Sequence, residues 1–386
     1  MSNKSKKTSI GGQALLEGIM MRGPEVTAMA VRNAAGQIVL EKEETSQKKP
    51  WFAKIPIVRG VYGMIDSLTT GYKYLMRSAD IAMEDIMEEE NAASDKANET
   101  ATEEIQADAE VSVEAEAPKA KEAPALEVNE DTHKNVKSEV VAPKPKKSNE
   151  EKTKQEKNES VFFAVASVFA MVFAVILSVG LFVLIPTVIA ALFVGGSAQL
   201  FKWTLFDIEG LIPLEGTAQI IWKSVIEGVL KIAMLVIYMW AVSFMKEIRT
   251  TFMYHGAEHK TIFCYEQGLE LTVENVRKQK RFHPRCGTSF MILMLLVSIF
   301  IGFFITFENV FLRSAVKILL LPPTVGIGYE LIKFAGRHDN LLTRIISAPG
   351  VALQHITTKE PDDRMIECAI VAMNEVIPKD SEKDNW

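Results

Sequence analysis

The chain has 386 residues, and its 43 Lys and Arg against 49 Asp and Glu leave a formal charge of −6, with only three cysteines. That length suits two or three domains, and that cysteine count excludes a disulfide framework and fits a reducing compartment. A mean hydropathy of +0.10 with 24% charged residues excludes one uniform soluble globule and points to alternating polar and apolar blocks.

The charge follows those blocks. Residues 84–157 hold 21 acidic and 11 basic residues, a balance of −10, which leaves 28 acidic and 32 basic residues, or +4, for the rest. The basic start, Met1 to Lys7, is followed by no apolar run of signal-peptide type, so no cleaved leader is expected. Ser9 to Pro24 carries four glycines and a proline, too much punctuation for a long helix. Val26 to Arg32 and Gln37 to Lys42 are strand-like runs around the turn Asn33-Ala34-Ala35-Gly36. Ile57 to Ile86 is predicted helical, because Val58, Val61, Ile65, Leu68, Tyr72, Leu75 and Ala79 recur at three- and four-residue steps. Gly60, Gly63 and Gly71 in that stretch permit close helix approach, including at a membrane surface.

No aromatic residue occurs between Tyr74 and Phe162. Residues 88–158, Glu/Ala-rich and then Lys/Pro-rich, are expected to be a disordered linker, serving as a tether or an interaction tail. Val161 to Val194 then runs 34 residues without a charge. A helix of that length would extend about 51 Å, too little for two crossings of roughly 30 Å with a turn. One span is predicted at about 161–185, ended or kinked near Pro186. Others follow at about 219–245, from Thr288 to Phe307, and at about 314–333, the last kinked by Pro322-Pro323. Lys223, Glu227 and Lys231 share one face of the second span and read as an intrahelical charge ladder near its outer end. Lys317 is expected to snorkel outward, and Glu330 to sit near the cytosolic interface.

Eight Lys and Arg in 246–287, against Lys202 alone in 195–218, place that loop and the N-terminal region in the cytoplasm. Four spans return the C-terminus to the same side. The tail should end in a helix opened by Pro361, Asp362 and Asp363, with Ile366, Ala369, Ile370, Met373 and Val376 as its apolar stripe. The expected fold is therefore mainly α: a polytopic helical membrane protein of about four spans, with a small cytosolic α+β N-terminal region and a helical C-terminal tail. Its parts are 1–87, the linker 88–158, the membrane domain 159–333 and the tail 334–386.

The chemistry concentrates in the 246–287 loop. Three of the six histidines and two of the three cysteines lie within residues 255–286, in His255-Gly256-Ala257-Glu258-His259, Cys264 and His283-Pro284-Arg285-Cys286. His255 and His259 share one helix face. Imidazole and thiolate are preferred zinc ligands, and His283 or Cys286 can complete a three-ligand site with an open position. Glu258 then stands beside the metal as a candidate general base, in the H-x-x-E-H pattern of inverted zinc peptidases. Other readings stay open: a structural loop whose histidines bond the backbone, or a basic surface for anionic lipid or ribosomal RNA. Glu17 and Arg22 could reach this loop or form an ordinary salt bridge. Arg337-His338-Asp339-Asn340 could add a ligand or cap a helix.

The opening Gly11-Gly12-Gln13-Ala14-Leu15-Leu16-Glu17-Gly18-Ile19-Met20-Met21-Arg22-Gly23-Pro24, the His255–Lys260 run, the His283–Thr288 run and the Leu353–Pro361 run together resemble the YqhQ family. This is a group of bacterial membrane proteins with a domain of unknown function, often labelled predicted metal-dependent enzymes. The resemblance covers most of the chain except 88–158. It implies a bacterial cell-membrane location and a metal role for His255, His259, His283 and Cys286, and it supplies no substrate.

The expectation is a membrane enzyme dependent on zinc or another divalent metal, hydrolytic in type, with lipid around it and no DNA partner. The alternative is a non-enzymatic scaffold or chaperone in membrane-protein biogenesis that meets the translocon or ribosome through its basic face.

Overall fold

The computed structural model describes residues 7–45, 50–107, 140, 141, 169–200, 203–380 and 384, less the single positions 171, 175, 179, 209, 213, 308 and 339. The glycine-punctuated opening run, for which no element was predicted, forms a hairpin. Strands β1 (Gly11–Leu15) and β2 (Gly18–Arg22) pair antiparallel, with Gly11 opposite Arg22 and Leu15 opposite Gly18. Glu17 turns the corner in the left-handed region, at φ 49°. β3 (Val26–Arg32) and β4 (Ile38–Glu44) form the expected second hairpin. Its turn is closed by Gly36 N–H donating to the Asn33 carbonyl at 2.9 Å, with Gly36 at φ 80°, which suits glycine. A two-residue strand, β5 (Val140–Val141), lies parallel to β4.

Both faces of this sheet are buried, and the two-residue alternation of strand side chains sorts them. Ile19, Met21, Ala28, Ala30 and Ile38 join one core with Tyr254, Ala257, Ile366, Ala369 and Met373. Leu15, Met20, Met29 and Val31 join another with Tyr74 and Ile81. The second core is covered by α1 (Val58–Ala107), which continues past Ile86 into the segment expected to be linker. Apart from β5, the rest of 88–158 lies outside the described residues. Close approach fixes α1. A Cβ on Gly60 would collide with Tyr329, and one on Gly71 with the Gln13 side chain. Ile65, Leu68 and Tyr72 of the predicted apolar stripe are nevertheless exposed.

Val172–Val194 (α2) and Gly216–Val242 (α3) are long and apolar enough to cross a membrane. The helix, expected to kink or end near Pro186 with a short apolar continuation, runs on to Val194. A π turn, Gly180–Leu184, precedes the proline; such a widened turn leaves out the kind of bond a proline cannot make. Between α2 and α3 lies an unpredicted hairpin, β6 (Gly196–Leu200) and β7 (Trp203–Ile208).

α4 (Lys246–Glu266) and the short α5 (Val273–Arg277) follow. α6 (Gly287–Gly302) is apolar with 16 residues, or about 24 Å of helix. α7 (Val310–Leu319) and α8 (Leu321–Arg337) meet at a 50° bend where Pro322-Pro323 forbids straight continuation, and count as a third candidate span if taken together.

One charged residue near these helices departs from expectation. Lys317 does not snorkel outward. Its side chain is 10% exposed and ion-paired to Glu227, which also receives Arg313 Nε at 3.2 Å. Glu330 is bonded by Arg59 of α1.

α9 (Leu341–Thr357) starts with a capping box in which Asn340 accepts from Thr343 N–H at 2.9 Å. α10 (Asp363–Val376) is capped by Asp362, which accepts from Met365 N–H at 2.9 Å, with Pro361 just outside the helix rather than in its first turn. Its buried stripe of Ile366, Ala369, Met373 and Val376 lies on the sheet.

Candidate metal centre

α4 is buried along most of its second half, including every residue from Gly256 to Ile262. The sheet and α10 cover one side. The other is covered by the 281–286 loop and the end of α9. This burial explains Gly256, where a Cβ would run into the Lys359 carbonyl. The same segment is fastened by Lys359 N–H donating to the Phe252 carbonyl at 2.8 Å.

His255 and His259 stand one turn apart with ring centroids 4.4 Å from each other. His255 Nδ1 lies 2.8 Å from the Thr357 carbonyl oxygen, and His259 Nδ1 lies 2.5 Å from the Arg281 carbonyl oxygen. A carbonyl only accepts, so each Nδ1 carries a proton, and in the neutral ring each Nε2 keeps its lone pair. His255 Nε2 is 3.1 Å from Cys286 Sγ. One nitrogen from each histidine and the Cys286 sulfur all lie within 4.8 Å of one another. This is the tautomer and the orientation that a metal-binding imidazole takes when its other nitrogen is held by a carbonyl. Two imidazoles and a sulfur form a donor set suited to zinc.

Cys286 caps the N-terminus of α6. Burial works against its thiolate, but the hydrogen bond and charge of His259, with the Thr288 hydroxyl and amide, hold the thiol below its ordinary range. Burial lowers the His259 value, and the neighbouring His255 adds to this.

Glu258 points to the sheet side. Burial pushes its carboxyl up to about 7, against the His255 charge and a hydrogen bond from Gly12 N–H. A Cβ on Gly12 would lie 3.0 Å from Glu258 Cδ and 2.8 Å from the Met20 carbonyl, so β1 can pass there only as glycine.

His283, expected as an alternative third ligand, is turned elsewhere. Its ring centroid is 5.6 Å from that of His259. Its Nε2 lies 3.7 Å from Glu266 Oε2, and its Nδ1 accepts from Arg285 N–H at 3.3 Å. The buried Glu266 also bonds Arg285 and takes Thr8 N–H at 2.9 Å. Cys286, not His283, is the third member of the close group.

Sequence reasoning missed the residues that support these ligands. Gln354, fully buried, clamps the loop: it accepts His283 N–H and donates to the His283 carbonyl, both at 2.7 Å, and reaches Ser289 Oγ at 3.2 Å. Lys260 ties α4 to the Arg277 carbonyl at 2.8 Å and to Glu360. The Leu353–Pro361 run contributes Gln354, the Thr357 carbonyl, Lys359 and Glu360. It entered the sequence reading only as a resemblance, without a role. Of the other polar candidates, Glu17 is reached by Tyr254 Oη at 3.5 Å, while Arg22 is ion-paired with Asp66 at 2.7 Å, away from the cluster. His338 ends α8 with Nδ1 on the Phe334 carbonyl, and Asn340 is a cap. Asp339 lies outside the described residues.

A family model described as "Protein of unknown function (DUF1385)" matches residues 55–379. The uncharacterized protein YqhQ of Bacillus subtilis (strain 168) is 28% identical over 380 residues, covering 98% of this chain and 95% of that protein. No solved structure matches the chain.

Proposed function

The chain belongs to the DUF1385 family, and from the geometry of its His/His/Cys cluster we propose that it is a metal-dependent enzyme of the bacterial cell membrane, hydrolytic in type. One observation carries the reading. Three ligand atoms of the zinc-binding kinds converge within 4.8 Å, and both histidines have Nδ1 tied to main-chain carbonyls. His255, His259 and Cys286 would hold the cation, which supplies Lewis acidity toward a carbonyl or phosphoryl oxygen.

The remaining work falls to this chain. Glu258, with its carboxyl near 7, can both take and return a proton at working pH. Gly12 N–H orients it from β1. The Glu266–Arg285–His283 corner and Gln354 hold the loop that presents Cys286. The apolar helices and the eight basic residues of 246–287 support a multi-pass arrangement with the cluster and both termini on the cytoplasmic side.

The test is elemental analysis of the purified chain beside His259→Ala and Glu258→Gln. About one zinc per chain, lost in His259→Ala and retained in Glu258→Gln, is expected. Absence of metal from a folded preparation supplied with zinc would overturn the reading. Once a substrate class is found, Glu258→Gln should be inactive, and an active variant would remove Glu258 from its role. A second reading is a biogenesis scaffold, favoured by the exposed Ile65, Leu68 and Tyr72 on α1. It requires that reversing the charges of Arg277, Lys278, Lys280 and Arg281 abolish co-purification with translocon or ribosome.

A further inference from the structure

β1 ends the sheet on the side away from β5, and its register decides which of its main-chain groups face outward. The turn Leu16-Glu17 has two residues, so Leu15 and Gly18 form the hydrogen-bonded pair beside it, and bonded pairs recur at every second position. Gln13 with Met20 and Gly11 with Arg22 are therefore bonded across the hairpin, whereas Gly12 and Ala14 turn their N–H and C=O groups away from β2. The β3 side of the hairpin obeys the same alternation, with Arg32 N–H on the Glu17 carbonyl at 2.8 Å. Of the four outward groups, Gly12 N–H is taken by the Glu258 carboxylate. The Gly12 carbonyl and both Ala14 groups have no hydrogen-bond partner among the described residues.

Native sheet edges are blunted by charges, prolines or bulges, because bare main chain recruits another strand. β1, Gly11-Gly12-Gln13-Ala14-Leu15, carries no charge and no proline, and it pairs with β2 without a bulge. Gly11 and Gly12 are exposed, and a Cβ on Gly11 would meet nothing within 4 Å. This bare edge adjoins the candidate metal centre. The Cβ position of Gly12 lies 3.0 Å from Glu258 Cδ, and His255, on the same helix as Glu258, is only half-buried. An extended chain laid antiparallel along β1 would exchange a close pair of bonds with Ala14. Two residues further on, its backbone would stand opposite Gly12, against Glu258. A row of alternating main-chain acceptors and donors is matched by another main chain in the same extended form.

We propose that the substrate of this centre is an extended polypeptide, held by strand addition to the free edge of β1. Ala14 N–H and C=O and the Gly12 carbonyl bind its main chain, and Glu258 meets the peptide bond opposite Gly12. The chemistry rests on the metal reading above, whereas the binding edge does not. In the reaction a water oxygen forms the new bond to the carbonyl carbon, and the C–N bond breaks. Glu258 takes a proton from that water and gives it to the leaving nitrogen, so one carboxyl end and one amine end result.

The experiment uses the full chain in detergent, supplied with zinc, and one unfolded probe: fluorescein-labelled lactalbumin, reduced and carboxymethylated. Binding is read by anisotropy on Glu258→Gln, which avoids turnover, and zinc content is measured on every sample. Saturable binding is expected, with hydrogen exchange at Ala14 slowed when the probe is bound. Ala14→Pro on the same background removes an outward N–H that the sheet does not use. It should weaken binding about tenfold with zinc content unchanged. The parent chain should cut the probe, read as new N-termini by mass spectrometry. The proposal is overturned by absence of saturable binding, by undiminished affinity in Ala14→Pro, or by a bound probe that the zinc-loaded parent leaves uncut. Exchange at Ala14 that the probe does not slow, or that is already slow in the free chain, overturns it too. Probe binding at this edge in a chain that takes up no zinc would fell the metal reading while supporting the edge.

Discussion

The His/Cys cluster and the Glu227 centre are both buried and polar, yet they meet the cost of burial in opposite ways. Around the cluster, imidazoles hand their N–H groups to main-chain carbonyls. Around Glu227, full charges pair with one another across two helices. Carbonyl anchors leave a lone pair free on each ring, which makes the first arrangement receptive to a cation. Charge pairing closes the second arrangement on itself, with Glu227 held between Arg313 and Lys317. The ligands of the first lie within 32 residues, whereas Glu227 and Arg313 are 86 positions apart.

The strongest way to break this comparison is Glu227→Ala. Stranding Arg313 and Lys317 beside a missing carboxylate should lower stability by about 3–5 kcal/mol, read as thermal unfolding in detergent. Zinc content should be unchanged, and a loss of metal would show that the two centres are one cooperative unit. Gln354→Leu acts on the other centre. It leaves the His283 N–H and carbonyl without partners and should lower stability by about 1–3 kcal/mol. Metal affinity should fall roughly tenfold or more, because the loop that presents Cys286 loses its clamp. Unchanged affinity would show that the loop holds Cys286 without the clamp.

The smallest effect is expected from acid. Burial opposes ionisation of Glu266, but the hydrogen bond from His283 and the Arg285 charge more than offset it, so its carboxyl sits below the ordinary 4.5. The unfolded chain then takes up the proton first. The stabilisation is present above about 4.5 and is lost as pH falls through the folded value. Glu266→Gln should therefore show a flatter fall in unfolding temperature below pH 4.5 than the parent, and an equally steep fall would remove Glu266 from that account.

What the sequence disclosed follows the range of each interaction. Asn33 to Gly36 signalled its hairpin because a turn is specified by four neighbouring residues. His255, Glu258 and His259 were visible because helical spacing alone places them together. β1 and β2 were hidden, since Gly11, Gly12 and Gly18 read as interruption until the close approach of Glu258 and Val31 is known. Lys317 and Glu227 were each given a sound local explanation, snorkelling for one and a ladder for the other. No local pattern says that they meet. His283 and Cys286 were equal candidates by spacing, and what separates them is Glu266, which draws the His283 ring away.

The acceptor for His255 Nδ1 is made 102 residues after His255 itself. In the order of synthesis, both histidines and the cysteine exist well before the carbonyl that sets the His255 tautomer, and before the glutamine that steadies the loop. A nascent chain that has reached Gly350 holds every proposed ligand but no finished centre. Clipping or truncation ahead of Gln354 would therefore disarm the site while leaving all three ligands in place. The C-terminal segment thus supplies the last of the cluster's contacts in the order of synthesis.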